Sequence, residues 1–138
     1  MRATWLIATT FLTIAIPCAS AQDAPKSRLI VLTDIEADPD DTQSLVRLLL
    51  YSNVIDIEGL VATTSTWKRT SIAPESIEKV VRAYGEVRDN LLLHEPGYPE
   101  TDHLLALIKS GRPEYGMGGV GAGKASEGSD WIIQALRK

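Results

Sequence analysis

Five carboxylates, Asp34, Glu36, Asp38, Asp40 and Asp41, crowd the stretch TDIEADPDD, directly after the apolar run LIVL. Like charges this close raise one another's pKa, so the cluster calls for a cation, protons or solvent between its members. A helix cap would occupy Asp40 and a helix dipole Asp41, which leaves three carboxylates unexplained. A cation or polyol site accounts for the whole set. Hard oxygen donors with no neighbouring His or Cys point to calcium or magnesium rather than zinc, and calcium is the expectation. An EF-hand is excluded: counted from Asp34, its glycine position holds Pro39 and its closing glutamate position holds Leu45.

Other residues offer weaker chemistry. Thr64 and Ser65 follow a second apolar run, with Trp67 just beyond. An exposed Trp stacks on a sugar or a base, whereas a rim Trp packs under its own loop; both readings stand. GMGGVGAGKAS spells G-x-G-x-x-G and most of a P-loop, but no apolar strand precedes it, and Ala125 stands where the P-loop needs Ser or Thr. A loop beside the pocket is the better reading. His94 and His103 read as surface or helix-flanking residues, at most a leaving-group acid.

The elements that must position these residues follow from periodicity. Residues 28–33 predict a buried strand and 41–51 a helix, with Asp40 and Gln43 at capping-box spacing and Pro39 just outside; residues 55–64 predict a second strand. This is a βαβ unit with parallel pairing, and the acidic turn sits at the carboxyl end of its first strand, where open α/β sheets bind ligands. A second helix is predicted from Pro74, with Ile77, Val80, Val81 and Tyr84 on one face. Thr101 would cap a third helix carrying Leu104, Leu105, Leu107 and Ile108, with Gly111 as its stop, and residues 129–138 predict a last helix. NLLLHEPGYPE is ambiguous. The fold class is therefore α/β, an open parallel sheet with flanking helices. Two clear strands are too few for a covered sheet, so the chain reads as the front part of a larger domain, its remaining strands coming from later residues or from a second copy in a homo-oligomer.

The first residues, MRATWLIATTFLTIAIPCASA, read as a secretory signal peptide over 1–21, leaving 22–138 as the domain. Export, to the periplasm or outside the cell, is the expectation. Cys18, the single cysteine, lies in that leader, and Pro17 argues against its lipidation. No later segment is apolar enough for a membrane span. Removing Arg2 from the 14 basic residues leaves 13 against 18 acidic ones, which supplies no basic stripe for a nucleic acid. A neutral or cationic small ligand, or a metal ion, suits this balance better.

TDIEADPDDTQSL after a first strand resembles the Asp-rich signature of the inosine-uridine-preferring nucleoside hydrolases, roughly D-x-D-P-G-x-D-D-A. More closely, LTDIEADPDDTQSLVRLLLYSNVIDIEGLVATTS and EGSDWII resemble the nucleoside-hydrolase-like domain of exported proteins labelled cellulose-binding, over nearly all of the chain after the leader. By that resemblance Asp34, Glu36 and Asp41 would be the metal ligands, Glu36 also the water-activating base, and Asp40 the residue that grips sugar hydroxyls. Thr64 stands where those enzymes carry a substrate-contacting Asn, and Trp67, by its stacking chemistry, joins Thr64 and Asp40 as a substrate residue; the ligand that the resemblance implies is a small sugar or nucleoside-like molecule, or a polysaccharide. The implied reaction is hydrolysis of an N-glycosyl or related glycosidic bond by calcium-bound water, with Glu36 or Asp38 taking the proton. Glu36 replaces the family's Asp and moves its carboxylate by about one bond length, which bears directly on reach to the water. The alternative is a calcium-dependent carbohydrate-binding module without catalysis. A phosphatase of the haloacid dehalogenase class, suggested by DIEAD, lacks its second Asp at position 36.

Overall fold

The computed structural model describes residues 25–137; the predicted signal peptide and Cys18 lie outside them. Strand β1 (Ser27–Thr33), helix α1 (Pro39–Leu49) and strand β2 (Ile55–Ala62) form the expected βαβ unit, paired in parallel. Helix α2 (Pro74–Leu92) begins at the predicted proline and buries Ile77, Val80, Val81 and Tyr84. A short helix α3 (Thr101–Ala106) leads to β3 (Ile108–Ser110), and α4 (Glu127–Leu136) closes the described chain. The sheet order is β1-β2-β3, parallel throughout.

Two expectations change. The predicted third helix stops at Ala106, and Ile108 to Ser110 pair instead with Leu60 to Ala62. Gly111 is then no helix stop: its N–H extends the ladder to Ala62 O at 2.8 Å. Glu100, not Thr101, is the residue before the first turn of α3. The sheet edge decided this, because a three-residue strand is too short to show periodicity and exists only where β2 offers a partner. The start of α1 also moves. Pro39 is its first residue and Asp38 its N-cap, with Asp41 at the third position; a proline with fixed φ and no N–H fits that first turn.

The connection over residues 93–100, ambiguous in sequence, is tied to α2 from one side. Arg88 donates to Pro99 O at 2.8 Å, Tyr98 O at 3.1 Å and Glu100 at 2.5 Å, and Tyr84 Oη donates to Pro99 O at 2.8 Å.

Side-chain alternation along β2 separates two layers. Leu60 and Ala62 join a core with Leu45 and Leu49 of α1 and Ile77, Val81 and Tyr84 of α2. Gly59 and Val61 face α4. A Cβ on Gly59 would lie 3.1 Å from the Trp131 ring, and one on Gly128 only 2.5 Å from Val61 Cγ1, so two glycines let the last helix approach the sheet closely. Trp131 donates to Glu58 O at 2.6 Å and carries the Lys109 ammonium 4.7 Å above its ring. The register slips between Leu29 and Ile30, leaving Glu58 opposite no β1 residue. Its carboxylate accepts from Arg28 Nε at 2.6 Å, and the same guanidinium donates to Ala135 O at 2.5 Å, which fastens the last turn of α4 to the sheet.

Candidate functional site

The carboxyl ends of all three strands meet at one edge, where Thr63 N–H donates to Thr33 O at 2.8 Å and Gly111 N–H to Ala62 O at 2.8 Å. Three loops leave it: the acidic turn after β1, the Thr64 to Trp67 loop after β2, and the glycine-rich segment after β3.

The acidic turn is shaped by its own backbone. Ala37 N–H donates to Asp34 O at 2.9 Å, beside the fully buried Ile35. Glu36 stands at φ 76, the single non-glycine residue in the left-handed region among those described. That conformation costs roughly 1–2 kcal/mol for a residue with a Cβ, so the surroundings must hold it. They do. Ser76 Oγ donates to Glu36 Oε1, while Lys68 Nζ donates to Glu36 Oε2 at 3.4 Å and to Ile35 O at 3.2 Å. The Ser76 hydroxyl and then the Lys68 ammonium hold the Glu36 carboxyl below the ordinary carboxylate range.

Asp38 and Asp41 serve first as helix caps, with Asp41 Oδ2 accepting the Asp38 N–H at 3.4 Å. Burial pushes the Asp41 carboxyl upward, and the charges of Asp34, Asp40 and Asp38 add to the rise against that hydrogen bond. A hard cation would relieve this repulsion, so the Asp34 and Asp41 side of the turn suits one electrostatically. Glu36 does not complete the set. Its oxygens are turned to Lys68 and Ser76, and among the described residues no three His, Cys, Asp or Glu side chains are gathered as a metal ion requires. Asp40 is exposed in the first turn of α1.

On the α4 side of the same edge lies an open cleft of about 500 Å³, lined among others by Leu32, Thr63, Thr64, Arg112, Ser126 and Ser129. Thr64 is thus at the border of this cleft. Trp67 is 81% exposed, which leaves its ring free rather than packed under the loop. Arg69 stacks over Tyr115 at 5.4 Å and accepts the Tyr115 N–H through its carbonyl at 3.1 Å, joining the Trp67 loop to the glycine-rich segment. In that segment Lys124 is turned onto the Gly118 carbonyl. Both histidines are exposed. α2 runs back against the strand direction, so its end delivers His94 to the opposite edge of the sheet.

Lys68, Ser76 and Arg112 were not legible as site neighbours. Lys68 and Ser76 meet Glu36 across 32 and 40 residues, and no local spacing signals such a contact.

A parallel α/β sheet with an acidic first turn at its carboxyl edge defines the class. The chain belongs to the family described as Cellulose-binding Sde182, nucleoside hydrolase-like domain, which it matches over residues 28–138. It is also similar, at 41% identity and a TM-score of 0.79, to the solved structure of a nucleoside hydrolase-related hypothetical protein from Saccharophagus degradans that is associated with carbohydrate metabolism. The match covers 83% of this chain and 28% of that one, so this chain spans just over a quarter of that protein's length. No curated protein matches.

Proposed function

We propose that this domain binds carbohydrate at the carboxyl edge of its sheet and does not cleave it. One observation carries the reading: Glu36, which stands where the hydrolases carry their base, is engaged through both carboxylate oxygens by Ser76 and Lys68. A carboxylate held below its ordinary pKa by these partners is a poor proton acceptor. Asp38, the other candidate base, stands at the N-cap of α1 with its own N–H bonded to Asp41. The family's cellulose-binding description and the carbohydrate-metabolism association of the similar protein support a sugar as ligand. The hydroxyls of Thr63 and Thr64 and the Arg112 guanidinium would grip it in the cleft, with Trp67 as an exposed stacking surface. Asp34 and Asp41 would supply only part of the oxygen shell of a calcium ion, water and sugar hydroxyls supplying the rest, and Asp40 would accept from those hydroxyls. The leader-like first residues accord with export.

Cello-oligosaccharides and nucleosides, titrated against the full-length protein with parallel product analysis, test this. Saturable association with a saccharide and no released sugar or base is expected. Release of a free base, lost in Glu36→Gln, would replace this reading by the hydrolase.

A further inference from the structure

Trp67 stands in a turn that is fastened from two sides. Ser65 Oγ accepts the Trp67 N–H at 2.9 Å and the Lys68 N–H at 3.1 Å, while the Ser65 N–H donates to Lys68 O at 3.0 Å, which closes residues 65–68 on themselves. Two side chains then tie the turn to its neighbours. Lys68, 15% exposed, places its ammonium 3.2 Å from Ile35 O and 3.4 Å from Glu36 Oε2, and Ser76 donates to the other Glu36 oxygen. Arg69 donates from Nε to Thr66 O at 2.9 Å and lies over the Tyr115 ring. The outcome is a ring 81% exposed on a backbone with little freedom. An aromatic surface fixed in advance loses less entropy when a ligand stacks on it.

We propose that Lys68 is a positioning residue for saccharide recognition: anchored on Ile35 O and Glu36, it holds the turn over residues 65–68 so that Trp67 presents a preformed stacking face. The ligand this suits is a saccharide whose pyranose ring exposes a face of C–H groups, because such a face packs on an indole and leaves the hydroxyls at its rim free for hydrogen bonds. Glu36 then acts through Lys68, as the far end of a strut, and not on the ligand. Its left-handed backbone is what aims the carboxylate at Lys68 and Ser76. The ligand rests on the sugar-binding reading, whereas the hold of Lys68 on Trp67 does not.

Calorimetric titration of cellohexaose into the full-length protein, together with the fluorescence anisotropy decay of Trp67, tests both parts. Circular dichroism checks the folding of each variant, and Trp67→Phe serves as the blank for the other tryptophans. Lys68→Met should weaken saccharide association roughly threefold, less than the roughly tenfold loss of Trp67→Ala, and should lower the residual anisotropy of Trp67. In a Trp67→Ala background Lys68→Met should cost nothing further, because Lys68 acts only through the ring. Glu36→Gln should weaken association less than Lys68→Met, since Ile35 O still holds the ammonium, and the two losses should not add. Ser65→Ala, which frees the Trp67 and Lys68 N–H groups, should reproduce the loss of affinity and of anisotropy if Lys68→Met does not fold. An equal loss from Lys68→Met with and without the Trp67 ring overturns the proposal, as does an unchanged Trp67 anisotropy in Lys68→Met, or in Ser65→Ala where that variant takes its place. A wild type that binds no saccharide overturns the sugar-binding reading and the ligand assigned to Trp67, and the anisotropy alone then decides whether Lys68 holds the ring.

Discussion

The loops that leave β1 and β3 share one edge of the sheet and are built from opposite materials. After β1, five carboxylates fall between Asp34 and Asp41, and their environment is already supplied by helix capping, Ser76 and Lys68. After β3, the chain from Gly111 to Ala125 is rich in glycine, carries a single 3-10 turn at Met117–Gly119, and borders an open cleft. The charged loop is tied down at Glu36 by Lys68 and Ser76 and at Asp41 by the Asp38 N–H. The glycine loop has little to answer for, and so leaves room. Ligand volume and ionic chemistry are thus neighbours at this edge rather than the same place.

The largest effect should come from the helix beneath the cleft. Trp131→Ala removes a ring packed on Gly59 and its hydrogen bond to Glu58 O, and should cost about 3 kcal/mol in urea unfolding. A similar loss of saccharide and calcium binding in a folded Trp131→Ala protein would break the comparison, since only the cleft side should suffer. Gly128→Ala places a Cβ within 2.5 Å of Val61 Cγ1 and should cost about 1–3 kcal/mol by forcing α4 off the sheet. An unchanged unfolding midpoint would mean that α4 docks with more slack than the contact allows.

Trp67→Ala should weaken saccharide association by roughly tenfold through loss of the stacking surface, with no change in unfolding midpoint because the ring is exposed. Equal saccharide affinity would move recognition wholly into the cleft. The smallest effect concerns pH. The Ser110 N–H, and after it the Lys109 ammonium, hold the Glu127 carboxyl below its ordinary range. A folded pKa below the unfolded value stabilises above the unfolded value and loses that contribution as pH falls through the folded one. The tie between α4 and β3 should therefore loosen on acidification below about pH 4, and Glu127→Gln should flatten this limb of a urea-midpoint profile. Because the Glu127 side chain is 56% exposed, solvent screening keeps the change slight.

Much of the frame was legible before any coordinates. The apolar runs of β1 and β2, the stripe Ile77, Val80, Val81 and Tyr84 on α2, and Pro74 at its start each act over a few residues, where periodicity and fixed φ leave little choice. The acidic turn's position at a strand end followed from the same reading, and the family likeness came separately, from the resemblance of its motif. Partners distant in sequence were decided only by the tertiary structure. Ile108 to Ser110 became a strand because β2 had an open edge, and Asp38 replaced Asp40 as the cap because Pro39 fits the first turn. Trp131, one more apolar residue in the sequence, proved to be the contact that holds α4 on Gly59. Glu36 shows the division most clearly. Its identity announced a carboxylate beside Asp34 and Asp41, but its direction was set by a left-handed backbone and by Lys68 and Ser76, which only folding brings to it.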